Sequence, residues 1–309
     1  MADSATPVLP RQDELRTGPG TGRDADADTA RLLMSCPDGP GIVAAITSFL
    51  HARGANIIAS DQNSTDAERG TFFQRIVFHL PGVTERLPAL EREFAGEVAG
   101  RFGMAFRLRA AEVPQRVALF VSKFDHCLLD LLWRWRRGEL PVDIVQVVSN
   151  HPDLADDVQG FGIPFAHIPV SRATKQEAEA KQLALLDGRV DLIVLARYMQ
   201  ILSGDFLERA GVPAINIHHS FLPAFAGAGP YEQAKHRGVK LVGATAHYVT
   251  EDLDEGPIIE QDVARVSHRE SVHDMTRRGA DIERLVLARA VAWHCDDRVL
   301  LHDNTTIVF

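Results

Sequence analysis

Residues 190–195 read Val-Asp-Leu-Ile-Val-Leu, an almost continuous apolar run. Alternation of apolar and polar residues is typical of a half-buried strand, whereas a continuous apolar run indicates a strand covered on both faces. Further apolar runs occupy 116–122, 142–149 and 163–168, and helical patterns separate them at 126–136, 153–161 and 174–187. Strands that alternate with helices predict an α/β architecture with a mostly parallel sheet.

The pattern changes beyond Asn216. A helix near 230–237 precedes two predicted strands at 241–249 and 257–266, and a long helix follows at about 271–294. A short hairpin is predicted at the C-terminus.

A different order of elements precedes the parallel region. Strands are predicted at Arg31–Cys36, Ala55–Asn63, Thr71–Leu80 and Met104–Ala110, with helices at Ile42–Arg53 and Thr84–Arg101. The order βαββαβ is the ferredoxin-like arrangement. Residues 1–30 contain no aromatic residue and are rich in Ala, Asp, Thr, Pro and Gly, which predicts a disordered tail. The predicted domains therefore span 31–112 and 115–309.

Composition excludes several classes of protein. The 309 residues include 33 basic and 42 acidic side chains, a net charge of −9, which disfavours a nucleic-acid partner. The three cysteines form no C-x-x-C pair, so we expect neither a disulfide framework nor a cysteine-based zinc site. No apolar run approaches the roughly 20 residues that a membrane span needs, so we expect a cytoplasmic protein without a membrane partner.

Two groups of motifs resemble known families. The run Cys36-Pro-Asp-Gly-Pro-Gly-Ile-Val-Ala-Ala-Ile and the later Gly54-Ala-Asn-Ile resemble the ACT domain, a βαββαβ module that often binds amino acids or mediates subunit contacts. The blocks Asn216-Ile-His-His-Ser-Phe-Leu-Pro, Gly243-Ala-Thr-Ala-His-Tyr-Val and Asp254-Glu-Gly-Pro-Ile-Ile resemble the Rossmann-like formyltransferase fold of enzymes that handle 10-formyltetrahydrofolate. The two domains together are similar to the formyltetrahydrofolate deformylase family. The resemblance implies hydrolysis of 10-formyltetrahydrofolate to formate and tetrahydrofolate, which balances the one-carbon folate pool and supplies formate for purine biosynthesis.

Hydrolysis of an N-formyl group requires a donor for the tetrahedral oxyanion, an acid or base, and a group that holds the attacking water. Ala214–His218 is a predicted strand, so Asn216 and His218 share one face near its C-terminal end, where open α/β sheets bind ligands. The resemblance maps the catalytic Asn, His and Asp of the family onto Asn216, His218 and Asp254. It implies that Asn216 is the oxyanion donor, that His218 is an electrophile or acid, and that Asp254 orients the water and relays protons.

The resemblance also implies a folate site on two loops. The implied substrate-binding residues are Met199, Gln200, Ile201, Leu202, His247, Thr250, Glu251 and Leu253. Met199, Ile201 and Leu202 could equally be core residues at a strand-to-helix junction, and His247 could be a buried core histidine.

The sequence indicates neither a metal nor a cofactor. His218 and His219 are adjacent on a predicted strand, so we expect them to point to opposite faces, with His219 packed or supporting rather than catalytic. The sequence contains no H-E-x-x-H motif, and the relatives need no metal. We therefore expect 10-formyltetrahydrofolate as a substrate and no bound cofactor.

The turn after the first strand of the second domain bears on the acceptor. In the related glycinamide ribonucleotide transformylases, a Gly/Ser-rich turn holds the acceptor's phosphate. Here Val117–Val121 is followed by Ser-Lys-Phe-Asp-His-Cys, which contains no glycine and favours water as the acceptor.

Two alternatives remain open on the sequence. One is a transferase that delivers the formyl group to an amine, and the other is a non-catalytic folate or amino-acid sensor. The ACT resemblance implies an amino-acid effector and a homo-oligomer.

Overall fold

The computed structural model describes residues 26–66, 68–223 and 229–309. Of the predicted disordered tail, residues 1–25 lie outside this range, and the first strand begins at Thr29. In the part of the chain that the structure describes, no helix is long and apolar enough to cross a membrane.

The N-terminal domain is a four-stranded antiparallel sheet with helices on one face. Its strands are β1 (Thr29–Pro37), β2 (Asn56–Ser64), β3 (Thr71–His79) and β4 (Ala105–Ala110), in the spatial order β2-β3-β1-β4. Helix α1 (Ile42–Ala52) follows β1, and helix α2 (Val83–Phe94) follows β3. The predicted ferredoxin-like order is thus confirmed.

One predicted helix of this domain is irregular. The segment predicted as a single helix at Thr84–Arg101 begins at Val83, passes through a π-helical turn at Ala95–Ala99 and ends with Gly100–Phe102. A π-helical turn contains an extra residue, which shifts the hydrophobic stripe of the helix and lets Phe94 and Ala99, five positions apart, both lie in the core.

The second domain contains a seven-stranded sheet. Its strands are β5 (Gln115–Val121), β6 (Val142–Ser149), β7 (Phe165–His167), β8 (Leu192–Leu195), β9 (Ala214–His218), β10 (Leu241–Tyr248) and β11 (Ile258–Arg265). Their order is β11-β10-β9-β8-β5-β6-β7. In this spatial order, β9, β8, β5, β6 and β7 run parallel to one another. Strand β10 is antiparallel to both β9 and β11, so the sheet is mostly parallel, as predicted.

Helices cover both faces of this sheet. They are α3 (His126–Arg136), α4 (Ala155–Gln159), α5 (Lys175–Leu186), α6 (Gly204–Ala210), α7 (Pro230–Arg237) and α8 (Val272–Cys295). Strand β8 shows why the apolar run is continuous: Leu192 and Val194 join one core cluster, while Ile193 and Leu195 join the cluster on the other face. A hairpin of β12 (Val299–His302) and β13 (Thr305–Val308) ends the chain.

The two domains meet at the C-terminal end of α8. Arg75 on β3 donates to the carbonyl oxygens of Asp296 and Asp297 over 2.9 Å each. The Asp297 carboxylate is buried and lies 3.0 Å from Arg107 on β4. Burial raises the pKa of Asp297, and the nearby arginines oppose this rise.

Candidate active site

The predicted catalytic side chains meet at the carboxyl end of β9. Asn216 and His218 lie on the same face of this strand, and Asn216 pairs with His247 on the neighbouring strand β10. The Asn216 Nδ2 atom lies 3.2 Å from His247 Nε2. Asp254 reaches the same point from the loop after β10, with Oδ2 at 3.2 Å from His218 Nδ1. The structure therefore brings together four side chains that are up to 38 positions apart in the chain.

The loop that carries Asp254 has a tightly constrained backbone. Asp254 adopts a left-handed conformation with φ 59°, which Asp tolerates better than most residues. Two residues later, a Cβ atom on Gly256 would lie 1.8 Å from the carbonyl oxygen of Tyr248. Only glycine allows the turn to pack this closely against the end of β10, so the Asp-Glu-Gly sequence fixes the position of the carboxylate.

Contacts with two histidines set the protonation of this cluster. The hydrogen bond with His218 and the nearby ring of His247 hold the pKa of Asp254 well below its usual range, although partial burial opposes this shift. The carboxylate is therefore ionised at neutral pH and accepts the Nδ1 proton of His218. The Nε2 atom of His218 is buried and has no hydrogen-bond partner among the described residues. An unpaired buried ring nitrogen is costly, so it is a natural contact for a substrate atom.

His247 acts on Asn216 rather than on Asp254. Its Nδ1 atom lies 2.9 Å from the carbonyl oxygen of Tyr248, and this contact requires a proton on Nδ1. In the neutral ring Nε2 then accepts a hydrogen bond from the Asn216 amide. The 3.7 Å separation of His247 Nε2 from Asp254 is too long for a hydrogen bond. His247 is 2 % exposed, as expected for a buried core histidine. Its contact with Asn216 also places it beside the site, as expected for a residue that lines it.

The predicted divergence of His218 and His219 is wrong. The two rings are stacked, with centroids 5.1 Å apart and an angle of 26° between their planes. Strand β9 ends at His218, so the strict alternation of side chains does not extend to His219. Burial, together with the nearby charges of Arg197 and His218, lowers the pKa of His219 to about 4. His219 is therefore neutral at physiological pH.

The two predicted folate-binding loops are adjacent. A Cβ atom on Gly204, at the start of α6, would lie 2.6 Å from the Glu251 carboxylate, which shows that the second loop reaches the end of the first. Three apolar side chains of these loops are more than half exposed: Met199, Ile201 and Leu253. Gln200 is half-buried, and Thr250 and Glu251 are exposed. Leu202, by contrast, packs in the core, which its alternative interpretation required.

A second buried cluster was not predicted. The Glu283 carboxylate on α8 is 2 % exposed and lies 2.8 Å from His126 Nε2 and 3.4 Å from Arg197 Nε. Tyr231 also donates a hydrogen bond to it. Burial would raise the pKa of Glu283, but His126 and Arg197 outweigh burial and lower it. One signal was available in the sequence: Glu283 interrupts the apolar stripe formed by Ile282, Val286 and Leu287 on a long helix.

Among the residues that the structure describes, this cluster holds the one group of side chains spaced closely enough to bind a metal ion. Potential ligand atoms of His126, Cys127 and Glu283 lie within 4.8 Å of one another. The donor set fits a cation poorly, because the Arg197 guanidinium already neutralises Glu283. Burial raises the pKa of the Cys127 thiol well above its usual value, so no thiolate is available. The expectation that the enzyme needs no metal stays a prediction.

Comparisons with known proteins agree with this architecture. The sequence model of the ACT domain matches residues 30–95, and that of the formyl transferase family matches residues 115–291. The chain is 62% identical to the formyltetrahydrofolate deformylase of Mycobacterium tuberculosis over 92% of this chain and 91% of that protein. It is 53% identical to the formyltetrahydrofolate deformylase of Bacillus subtilis over 93% of this chain and 96% of that protein.

The fold of the chain also matches that of a solved structure. The crystal structure of a formyltetrahydrofolate deformylase from Pseudomonas syringae superposes with a TM-score of 0.87 and 47% sequence identity. The superposition covers 91% of this chain and 94% of that one. Both domains and their order are shared, so the resemblance seen in the sequence motifs is confirmed. The chain belongs to the formyltetrahydrofolate deformylase family.

Proposed function

We propose that this chain hydrolyses 10-formyltetrahydrofolate to formate and tetrahydrofolate, and that Asn216, His218 and Asp254 carry the reaction. One observation supports these roles most strongly. His218 is held through Nδ1 by an ionised Asp254 at 3.2 Å, while its Nε2 is buried without a partner at the carboxyl end of β9. That is the end of an open α/β sheet where ligands bind.

The proposed mechanism is a hydrolytic addition and elimination. A water oxygen attacks the formyl carbon and passes a proton to Nε2 of His218, whose positive charge the Asp254 carboxylate stabilises, and the carbonyl oxygen becomes a tetrahedral oxyanion. Asn216 stabilises this oxyanion, since its Nδ2 carries a second proton beyond the one directed at His247. His218 then donates a proton from Nε2 to N10, the bond from carbon to N10 breaks, and formate leaves. The water oxygen enters formate, one water proton reaches N10 of tetrahydrofolate, and the other is released to solvent when formic acid ionises.

We place the folate on the two loops beside this cluster. The apolar side chains of Met199, Ile201 and Leu253 are exposed beside the catalytic groups, where a flat heterocycle could cover them. Gln200, Thr250, Glu251 and the backbone near Leu202 offer polar contacts. No cofactor takes part in this mechanism. The resulting formate would supply purine biosynthesis, and we assign the enzyme to the cytoplasm, where its three buried free thiols would remain reduced.

The N-terminal domain, 31–112, is proposed to regulate the catalytic domain, 115–309. A cavity of about 470 Å³ lies between the turn before α1 and strand β2, and Asp38, Gly41, Gln62 and Phe72 are among its lining residues. The backbone N–H groups at the start of α1 suit a carboxylate, so we propose an amino acid as the effector. Addition of single amino acids should shift the melting temperature or the activity, and this proposal fails if none does.

We also propose that the protein is a homo-oligomer. Strand β2 is an edge strand of the N-terminal sheet, and its Ile58 is 58% exposed. Exposed edges with apolar side chains favour association with another strand. Light scattering on the purified protein should give a mass above 34.0 kDa, and Ile58→Lys should lower it.

The catalytic proposal is tested by turnover without an amine. The purified protein should release formate and tetrahydrofolate in equal amounts from 10-formyltetrahydrofolate alone. Release that begins only when an amine is added would support a transferase instead. Folate binding without release under either condition would support a sensor.

A further inference from the structure

The carboxyl edge of the seven-stranded sheet has a second place suited to a ligand. From β5 the chain continues to β6 and β7 on one side, whereas β8 and β9 lie on the other side. Ligands of open α/β sheets bind where the strand order reverses in this way. Phe120 pairs with Leu195, and Leu195 pairs with Asn216, so the crevice between β5 and β8 lies directly beside the catalytic strand.

Arg197 and Phe124, which lie just beyond the ends of β8 and β5, contact each other at this edge. Arg197 lies two residues after the end of β8 and is 9 % exposed, and its carbonyl oxygen accepts a hydrogen bond from the Ser122 N–H after β5. Its guanidinium carbon lies 4.8 Å from the centre of the Phe124 ring. Its backbone has φ 64°, a left-handed conformation that is strained for arginine. A buried charge and a strained backbone are both costly, so other contacts must hold Arg197 here.

Glu283 supplies the opposing charge, and Tyr231 holds Glu283 in place. Glu283 lies 3.4 Å from Arg197 Nε and accepts a 3.1 Å hydrogen bond from Tyr231. Gly279 lies one helical turn before Glu283, and a Cβ atom there would lie 1.7 Å from the Tyr231 hydroxyl oxygen. The helix therefore makes room for the tyrosine ring. The Tyr231 ring centre lies 6.4 Å from that of His219, which stacks on the catalytic His218.

We propose that Arg197, Glu283, Phe124 and Tyr231 form an acceptor plug, which occupies the space that an amine would need to reach the formyl carbon. This inference rests on the proposed hydrolysis. Hydrolysis and formyl transfer both break the bond from the formyl carbon to N10, and N10 gains a proton in both. They differ in the nucleophile: water contributes its oxygen and yields formate, whereas an amine contributes its nitrogen, loses one proton and yields an N-formyl amine. A plug that admits only water therefore favours hydrolysis over formyl transfer.

The charges of the plug favour this interpretation over a purely structural one. A buried ion pair is seldom more stabilising than apolar residues of the same size, so stability alone does not explain why Arg197 and Glu283 lie here. Glu283 also contacts Tyr231, whose ring centre lies 6.4 Å from that of His219, the residue stacked on His218. We infer that these residues determine acceptor specificity and do not touch the reacting atoms themselves.

The test opens the plug without leaving an unpaired charge. Arg197→Gly relieves the left-handed backbone and removes the guanidinium. Glu283→Gln in the same protein removes the opposing charge, keeps one acceptor oxygen for Tyr231 and can direct its NH2 group at His126 Nε2. The matched control is Arg209→Ala with Asp205→Asn, which removes an exposed ion pair of 3.1 Å from α6. Each protein is given 10-formyltetrahydrofolate and increasing glycinamide, and mass spectrometry measures N-formylglycinamide, formate and tetrahydrofolate.

Wild type and control should form formate with negligible N-formylglycinamide. The double variant should raise the ratio of N-formylglycinamide to formate by about tenfold or more, which is the scale on which pocket shape discriminates. Its KM for the folate should remain near the wild-type value. A folded double variant that forms only formate at every glycinamide concentration would overturn the proposal.

A second variant covers the case in which the double variant does not fold. Phe124 is 49% exposed and lies over Arg197, so Phe124→Ala should preserve folding and shift the same ratio in the same direction. If Phe124→Ala yields only formate, the proposal fails. The proposed function is judged separately, by whether wild type releases formate in the absence of glycinamide.

Discussion

Replacement of Asp254 by asparagine tests the proposed catalytic cluster at its centre. The change keeps the shape of the side chain but removes the charge that lies 3.2 Å from His218 Nδ1. The amide can also present its NH2 group to His218 and so favour the wrong tautomer, an effect that lowers kcat about 10⁴-fold in serine proteases. Acid–base catalysis alone contributes about 10²–10⁴. We therefore expect kcat to fall by about 10³–10⁴, equivalent to a barrier higher by about 4–5 kcal/mol.

The assay follows formate and tetrahydrofolate under steady-state conditions over a range of substrate concentrations. The KM should change little, because Asp254 acts on the imidazole and the water rather than on the pterin. Asp205→Asn is the matched control, since Asp205 carries the same charge at an exposed site on α6. A folded Asp254→Asn protein that kept more than about a tenth of the wild-type kcat would refute the reasoning, because the loss would then lie below the range for acid–base catalysis.

Further predictions concern the oxyanion, pH and packing. Asn216→Ala should lower kcat by about 10²–10³ with little change in KM, the usual effect of removing one oxyanion donor; an equal rise in KM would contradict it. The pKa of Asp254 is lowered in the folded state, so its ionised form contributes stability above its usual pKa of 3.8 and less as the pH falls below that value. In urea unfolding, the difference in the free energy of unfolding between wild type and Asp254→Asn should therefore become smaller from about pH 7 to about pH 3. A difference that stays constant over this range would count against the shifted pKa. Gly279→Ala should destabilise the protein by about 1–3 kcal/mol through the clash with Tyr231, whereas Gly96→Ala, which meets open space, should not. Equal unfolding midpoints for these two variants would exclude the clash. Chelators should leave kcat unchanged, and a loss that added zinc reverses would reveal a metal.

Much of the fold could be predicted because it rests on local patterns. The continuous apolar run 190–195 indicates a strand covered on both faces, and Ile193 and Val194 do lie in opposite core clusters. The order of elements in the N-terminal domain follows from the same periodicities. The π-helical turn at Ala95–Ala99 could not be predicted, since it depends on how two apolar residues fit the sheet beneath them.

The site contains two features that local sequence patterns do not predict. Alternation places Asn216 and His218 on one face while the strand lasts, but it fails for His219 directly after the strand. The pairing of Arg197 with Glu283 joins positions 86 residues apart. Such a contact is set by the packing of a long helix across the sheet edge, and no spacing along the chain indicates it.

The most direct test of the account is turnover in water labelled with oxygen-18, without any amine. Hydrolysis at the proposed site predicts that each formate molecule carries one labelled oxygen and that tetrahydrofolate appears in equal amount. Formate release without label, or no release until an amine is supplied, would contradict the central claim that water is the acceptor.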